Sequence, residues 1–119
     1  MSDQEHGTYL PSVYLALRAS YPRVADAYDE LAEACRAAGP LSLREQRLVK
    51  LGIAIGLSSE GAVRSHVRRG LEEGMAADAL LHAIALAVPT AGFPATAAAY
   101  RWAREVLGTT GERATGADR

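Results

Sequence analysis

Apolar residues in this chain return every three to four positions in runs that proline and glycine cut short, a pattern that restricts it to a set of brief helices. Helical periodicity runs from about residue 11 to 107, and no segment alternates convincingly as a strand would. Residues 11–20 suit a short helix opened by Pro11. Pro22 fits a first helical turn, where its missing N–H has no partner to lose. Val24, Ala27, Tyr28, Leu31, Ala34, Cys35 and Ala38 then recur at helical spacing until Gly39 and Pro40 stop the run. Cys35 reads there as a small buried apolar residue.

Ser42 and Glu45 stand three apart as a capping box, opening a helix that carries Leu48, Val49, Gly52, Ile53 and Gly56 on one side. Glu45 projects near the middle of that side and admits two readings: a cap at the positive end of the helix, or a partly buried carboxylate lining a pocket. A fourth helix starts near Ser58 or Ser59 and closes at Gly74, with Val63, Val67, Gly70 and Leu71 as its apolar stripe. His66 falls at the border of that stripe, on the same edge as Ala62 and Glu73, where a side chain can reach both a cleft and water. Arg64 and Arg68 straddle it. One of them can bring a guanidinium to the same cleft; the alternative leaves both solvated.

A fifth helix, about Ala76 to Val88, is apolar almost all round, interrupted only by Asp78 and His82, which stand four apart as a local pair. One 119-residue chain has few elements with which to cover such a helix, so it implies a subunit interface. Pro89 ends it. Thr90 to Pro94 then form a turn into a last helix with a small-residue face of Ala95, Ala97, Ala98 and Ala99. The organisation expected is a flexible N terminus over 1–10, a single domain over 11–107 and a polar, glycine-rich disordered tail over 108–119.

Composition removes several functions. Net charge is -1, and the basic residues, all arginine except Lys50, are scattered among the acids, which leaves no footprint for nucleic acid. No apolar run approaches the roughly 20 residues that span a bilayer, and no basic start leads into an apolar run as in a secretory signal, so a cytoplasmic location is expected, with no membrane partner. A single cysteine excludes an intramolecular disulfide. Three histidines without a second ligand at metal spacing make no metal site.

Leu48-Val49, Arg64-x-His66-x-Arg68, Gly74, the run Ala91 to Ala95 and the pair Ala98-Ala99 together resemble the carboxymuconolactone decarboxylase family, which includes alkylhydroperoxidase-like proteins. The likeness covers about Gln46 to Leu107. It implies an all-α, alkylhydroperoxidase-like fold of about six helices that assembles as a homotrimer or homohexamer, with sites near subunit contacts. Peroxidase members place Cys-x-x-Cys at the positions of Ser59 and Ala62 and a proton-relay glutamate at Arg47; all three are replaced here, so thiol peroxidase activity is not expected. Decarboxylase members carry the histidine without those cysteines and need no cofactor. The resemblance therefore implies a lyase-like enzyme of aromatic catabolism acting on a small anionic lactone or carboxylic acid. His66 is expected as general acid/base with Glu45 beside it, and Arg64, Arg68 and Phe93 as substrate-binding residues. Thr90 stands where decarboxylases usually have a tyrosine and Ala97 where they have an asparagine, which points to a divergent member acting on another small acid or lactone. The alternatives are an alkylhydroperoxidase-like protein and a non-catalytic oligomeric small-molecule binder.

Overall fold

The computed structural model describes residues 9–115, with side chains described over 12–108. Seven helices and no strand occur among the described residues: α1 (Tyr9–Ser20), α2 (Pro22–Ala37), α3 (Leu43–Gly56), α4 (Glu60–Glu72), α5 (Ala77–Ala85), α6 (Val88–Ala91) and α7 (Phe93–Thr115). The all-α architecture expected from the periodicity is present, α6 being a single turn added to the six larger helices. By internal packing the chain divides into two compact units, Met1–Leu43 and Arg44–Arg119.

In the first unit α1 and α2 pack on each other. Pro22 occupies the first turn of α2, as its chemistry requires. Tyr14 donates from its hydroxyl to Asp29 Oδ2 at 2.6 Å, and Arg18 bonds Asp26 at 2.9 Å and Asp29 at 3.0 Å, so polar contacts tie the pair together. Burial is slight: Ala25 is the buried residue of α2. The amphipathic stripe of α2 is real but uncovered, with Val24, Tyr28 and Leu31 all more than half exposed. Cys35, on the same stripe, is exposed rather than buried, because a period shows that a helix has an apolar face and not that anything lies against it.

The core belongs to the second unit. Leu51 and Ile55 of α3, Val63 and Val67 of α4, Leu80 and Ile84 of α5, and Ala99 and Ala103 of α7 lose all contact with water. Each large aliphatic among them contributes roughly 1.5–3 kcal/mol relative to exposure. Gly70 sets the approach of α5 to α4, since a Cβ there would stand 2.8 Å from Leu80 Cδ2. The small-residue face foreseen for α7 allows its close packing on α4, α5 and α6. On α3 the buried side runs through Leu51, Ala54 and Ile55, whereas Val49 and Ile53 of the stripe read from the sequence are exposed.

Two glycines make the turns. Gly74, at φ +93°, closes α4, and the next N–H, from Met75, returns to Gly70 O at 2.9 Å. Gly92, at φ +98°, separates α6 from α7, and its carbonyl accepts from both the backbone N–H and the hydroxyl of Thr96. Pro89 does not end the fifth helix. α5 stops at Ala85, and Pro89 sits in the first turn of α6, where no N–H is needed. Gly108 does not begin a tail either, for α7 continues to Thr115. Polar, glycine-containing sequence lowers helix propensity by only about 1 kcal/mol per glycine, too little to stop a helix already nucleated by a packed segment. The expected flexible residues 1–8 and tail residues 116–119 lie outside the described part.

Gly74 has open space around the position of a Cβ, so a substitution there meets only backbone strain. Gly74→Ala is expected to lower the free energy of unfolding by about 1–2 kcal/mol, read from denaturant midpoints at unchanged slope. An unchanged midpoint would show that the left-handed closure is not needed.

Candidate functional site

α3 and α4 are joined by a sharp reversal. Ser58 takes a left-handed φ of +54°, the N–H of Ser59 bonds Ala54 O at 3.1 Å, and Ser59 then stands at the N-cap of α4. Burial of Val63, Val67 and Gly70 fixes the rotation of α4. That rotation sets His66 and Glu73, seven residues and about two turns apart, along one edge. Arg47, in the second turn of α3, reaches both.

Its guanidinium is largely enclosed, with 13% of the side chain exposed. Nε and NH2 donate to the two carboxylate oxygens of Glu73 at 3.0 and 2.5 Å, a two-pronged ion pair, while NH1 lies 2.7 Å from His66 Nδ1. Arginine has no acceptor, so Nδ1 must be the acceptor and the imidazole proton sits on Nε2. Burial, followed by the positive charges of Arg47, Arg69 and Lys50, pushes the His66 pKa down to about 4, against an opposing pull from Glu73. The hydrogen bond from Arg47 holds the Glu73 carboxyl below its ordinary value. His66 is therefore a neutral ring with one free function, an N–H donor. It cannot serve as a general base in this geometry, since Nδ1 is taken and Nε2 is already protonated.

The other expected site residues do not join it. Glu45 is exposed rather than half-buried, in the first turn of α3 along the uncovered Val49–Ile53 side. Arg64 is engaged by two carboxylates, Glu60 at 2.9 Å and Glu105 of α7, whose hydrogen bond raises its pKa. It has turned away from His66, as a residue two positions off on a helix must. Arg68 is half-buried, and burial lowers its pKa, but no bond ties it to His66 or Glu73. Phe93, at the start of α7, is two-thirds exposed. Arg47 and Glu73 are the residues that periodicity did not select. The available signal was that Glu73 shares an edge with His66, and that Arg47 stands where the resemblance places a functional glutamate.

A groove of about 630 Å³ opens between α3 and the α5–α6 segment, floored by Gly52, Gly56, Ala79, Ala83 and Ala87 and walled by Leu48, Val49, Ile53 and Leu86. It is not the cleft expected at His66, since Arg44 and His82 border it and neither His66 nor Glu45 lines it. Asp78 and His82 form no ion pair among the described residues, and His82 faces the groove instead. No cluster of three or more His, Cys, Asp or Glu suited to a metal ion occurs among the described residues. No helix among them is long and apolar enough to cross a membrane.

The second unit is thus all-helical, with a half-buried histidine clamped by Arg47 of the preceding helix and with serine and alanine, not cysteines, at positions 59 and 62. The chain belongs to the carboxymuconolactone decarboxylase family, whose model matches residues 22–105 and so extends the likeness back through α2. No curated protein and no solved structure gives a match.

A histidine held neutral makes folding pH-dependent in a defined direction. The unfolded chain takes up a proton on His66 near the ordinary value of 6.5, the folded chain only near 4. The unfolded state thus binds more protons between these values, and stability is full above about 6.5 and falls as pH drops toward 4. His66→Gln should flatten that part of the stability–pH curve, measured by denaturant melts at half-unit steps. An unaltered slope in the variant would place the titration elsewhere.

Proposed function

We propose that the protein is a cofactor-independent, carboxymuconolactone decarboxylase-like enzyme of the cytoplasm, acting on a small anionic lactone or carboxylic acid. The observation that carries the reading is the Arg47–His66 hydrogen bond, which leaves a neutral imidazole with its proton on Nε2. Loss of carbon dioxide from an unsaturated lactone acid breaks the bond to the carboxyl carbon and sends its electron pair through the double bond to the lactone carbonyl oxygen. His66 meets that oxygen with Nε2–H, and as the proton moves toward the substrate the negative charge growing on the ring is offset by the guanidinium on Nδ1. Glu73 keeps Arg47 in place. A pre-set donor of this kind needs no reorganisation when charge appears, which is why its contribution is large.

Family membership admits both lyase and peroxidase chemistry, and the cysteine content of this chain favours the lyase. Thiol-based peroxide reduction needs an activated thiolate and a resolving thiol. Cys35 is one cysteine, on α2 in the other compact unit. Assembly as a homotrimer or homohexamer belongs to the same proposal, supported by the exposed apolar residues of α2, α3 and α5: Val24, Tyr28 and Leu31, Val49 and Ile53, and Leu86 just after α5.

With 4-carboxymuconolactone and related unsaturated lactone acids as the substrate panel, carbon dioxide release by the wild type is expected. His66→Ala should lower kcat by roughly 10²- to 10⁴-fold, with Cys35→Ser unchanged. The activity should show no break near pH 6.5, since His66 does not titrate there. Full activity in His66→Ala would transfer the reading to a non-catalytic binding protein. Light scattering is expected to return a trimer or hexamer at micromolar concentration, and a monomer of 12.6 kDa would remove the assembly.

A further inference from the structure

The charges around His66 do not cancel. Lys50 lies three residues beyond Arg47 on α3, and Arg69 three beyond His66 on α4, so each is the next side chain along the ridge that the Arg47 hydrogen bonds tie together. Glu73 is four beyond Arg69 and completes the α4 ridge. Three cations, Arg47, Lys50 and Arg69, thus stand against one carboxylate, Glu73, around a neutral imidazole, which leaves two positive charges uncompensated. Lys50 and Arg69 are exposed and form no ion pair among the described residues. Arg64, by contrast, is neutralised by Glu60 and Glu105. The anion-binding potential of α4 therefore lies on the His66 side and not at the arginines that flank the histidine at two residues' distance.

We propose that Lys50 and Arg69, with Arg47 between them and His66 alongside, form a subsite for the carboxylate of the substrate. This assigns the anion-holding role to residues other than Arg64 and Arg68, and it rests on the reading that the protein acts on a small acid. Arg47 spends three of its five N–H groups on Glu73 and His66, so two remain for a ligand while the clamp stays closed. The N–H of His66 stays directed at the lactone carbonyl oxygen, next to this subsite and not part of it. A small carboxylate satisfies both requirements of the site: it offers two acceptor oxygens, and it brings a negative charge to a place with an excess of positive ones. Its arrival also removes part of the field that disfavours the imidazolium, so a bound anion makes His66 easier to protonate.

Succinate, which has no lactone to break, serves as the probe. In protein labelled with nitrogen-15, the His66 ring resonances are followed during titration with succinate and, separately, with chloride at matched ionic strength. A saturable response to succinate alone is expected, together with an upward move of the His66 titration midpoint. Lys50→Gln and Arg69→Gln should each weaken succinate binding by roughly tenfold, the loss of one charge-assisted hydrogen bond. Arg64→Gln should leave it unchanged. No saturable response, an equal response to chloride, or equal weakening by Arg64→Gln would overturn the subsite. Binding is read without turnover, so it separates from the catalytic proposal: a protein that takes succinate in this way but decarboxylates nothing would retain the subsite and lose the enzyme.

Discussion

Everything at the candidate site depends on how α4 is buried. Val63, Val67 and Gly70 face inward against Leu80 and Ile84 of α5 and the alanines of α7, and the Gly70–Leu80 approach permits little rotation of the helix without a clash. With that face fixed, every other residue of α4 has its direction assigned by the 100° step. His66 and Glu73 fall on one edge and Arg64 on another. The polar site is thus a by-product of apolar packing in the literal sense that no site residue orients the helix; the helix orients them.

Arg47 then converts an edge into a site. Alone, His66 would be a half-buried ring able to carry its proton on either nitrogen. A guanidinium against Nδ1 removes that freedom, and the two bonds to Glu73 keep the guanidinium from swinging to water. Removal of either partner would leave a charged group in a partly desolvated place, which is costlier than the pair is stabilising. Geometry and electrostatics point the same way here. The cation that sets the tautomer is also, after burial, the largest reason the ring stays neutral.

Much of the fold was legible because it is local. Proline at the start of α2, serine before α4 and glycine at 74 mark boundaries through chemistry confined to one turn, and each boundary falls within two residues of its expected place. The stripe Val63, Val67 and Gly70 was legible for the same reason. What covers a stripe is not local, so Cys35 was read as buried and lies exposed. Partners far along the chain were equally out of reach. Glu73 is 26 residues from Arg47, and Glu105 is 41 from Arg64; no period within a helix announces either bond. The histidine could be singled out from sequence, while its proton, its neighbours and its proper arginine could not.

Arg47 occupies the position that the alkylhydroperoxidase-like pattern gives to a carboxylate, and the carboxylate of this cluster comes instead from Glu73. The two positions are energetically one unit. Restoring glutamate at 47 by itself would set two carboxylates face to face beside His66, and changing Glu73 by itself would strand an enclosed guanidinium. Neither single step is neutral, so the two residues can be exchanged without loss only together. The inverted pair is a barrier in sequence space as well as a clamp in the folded chain.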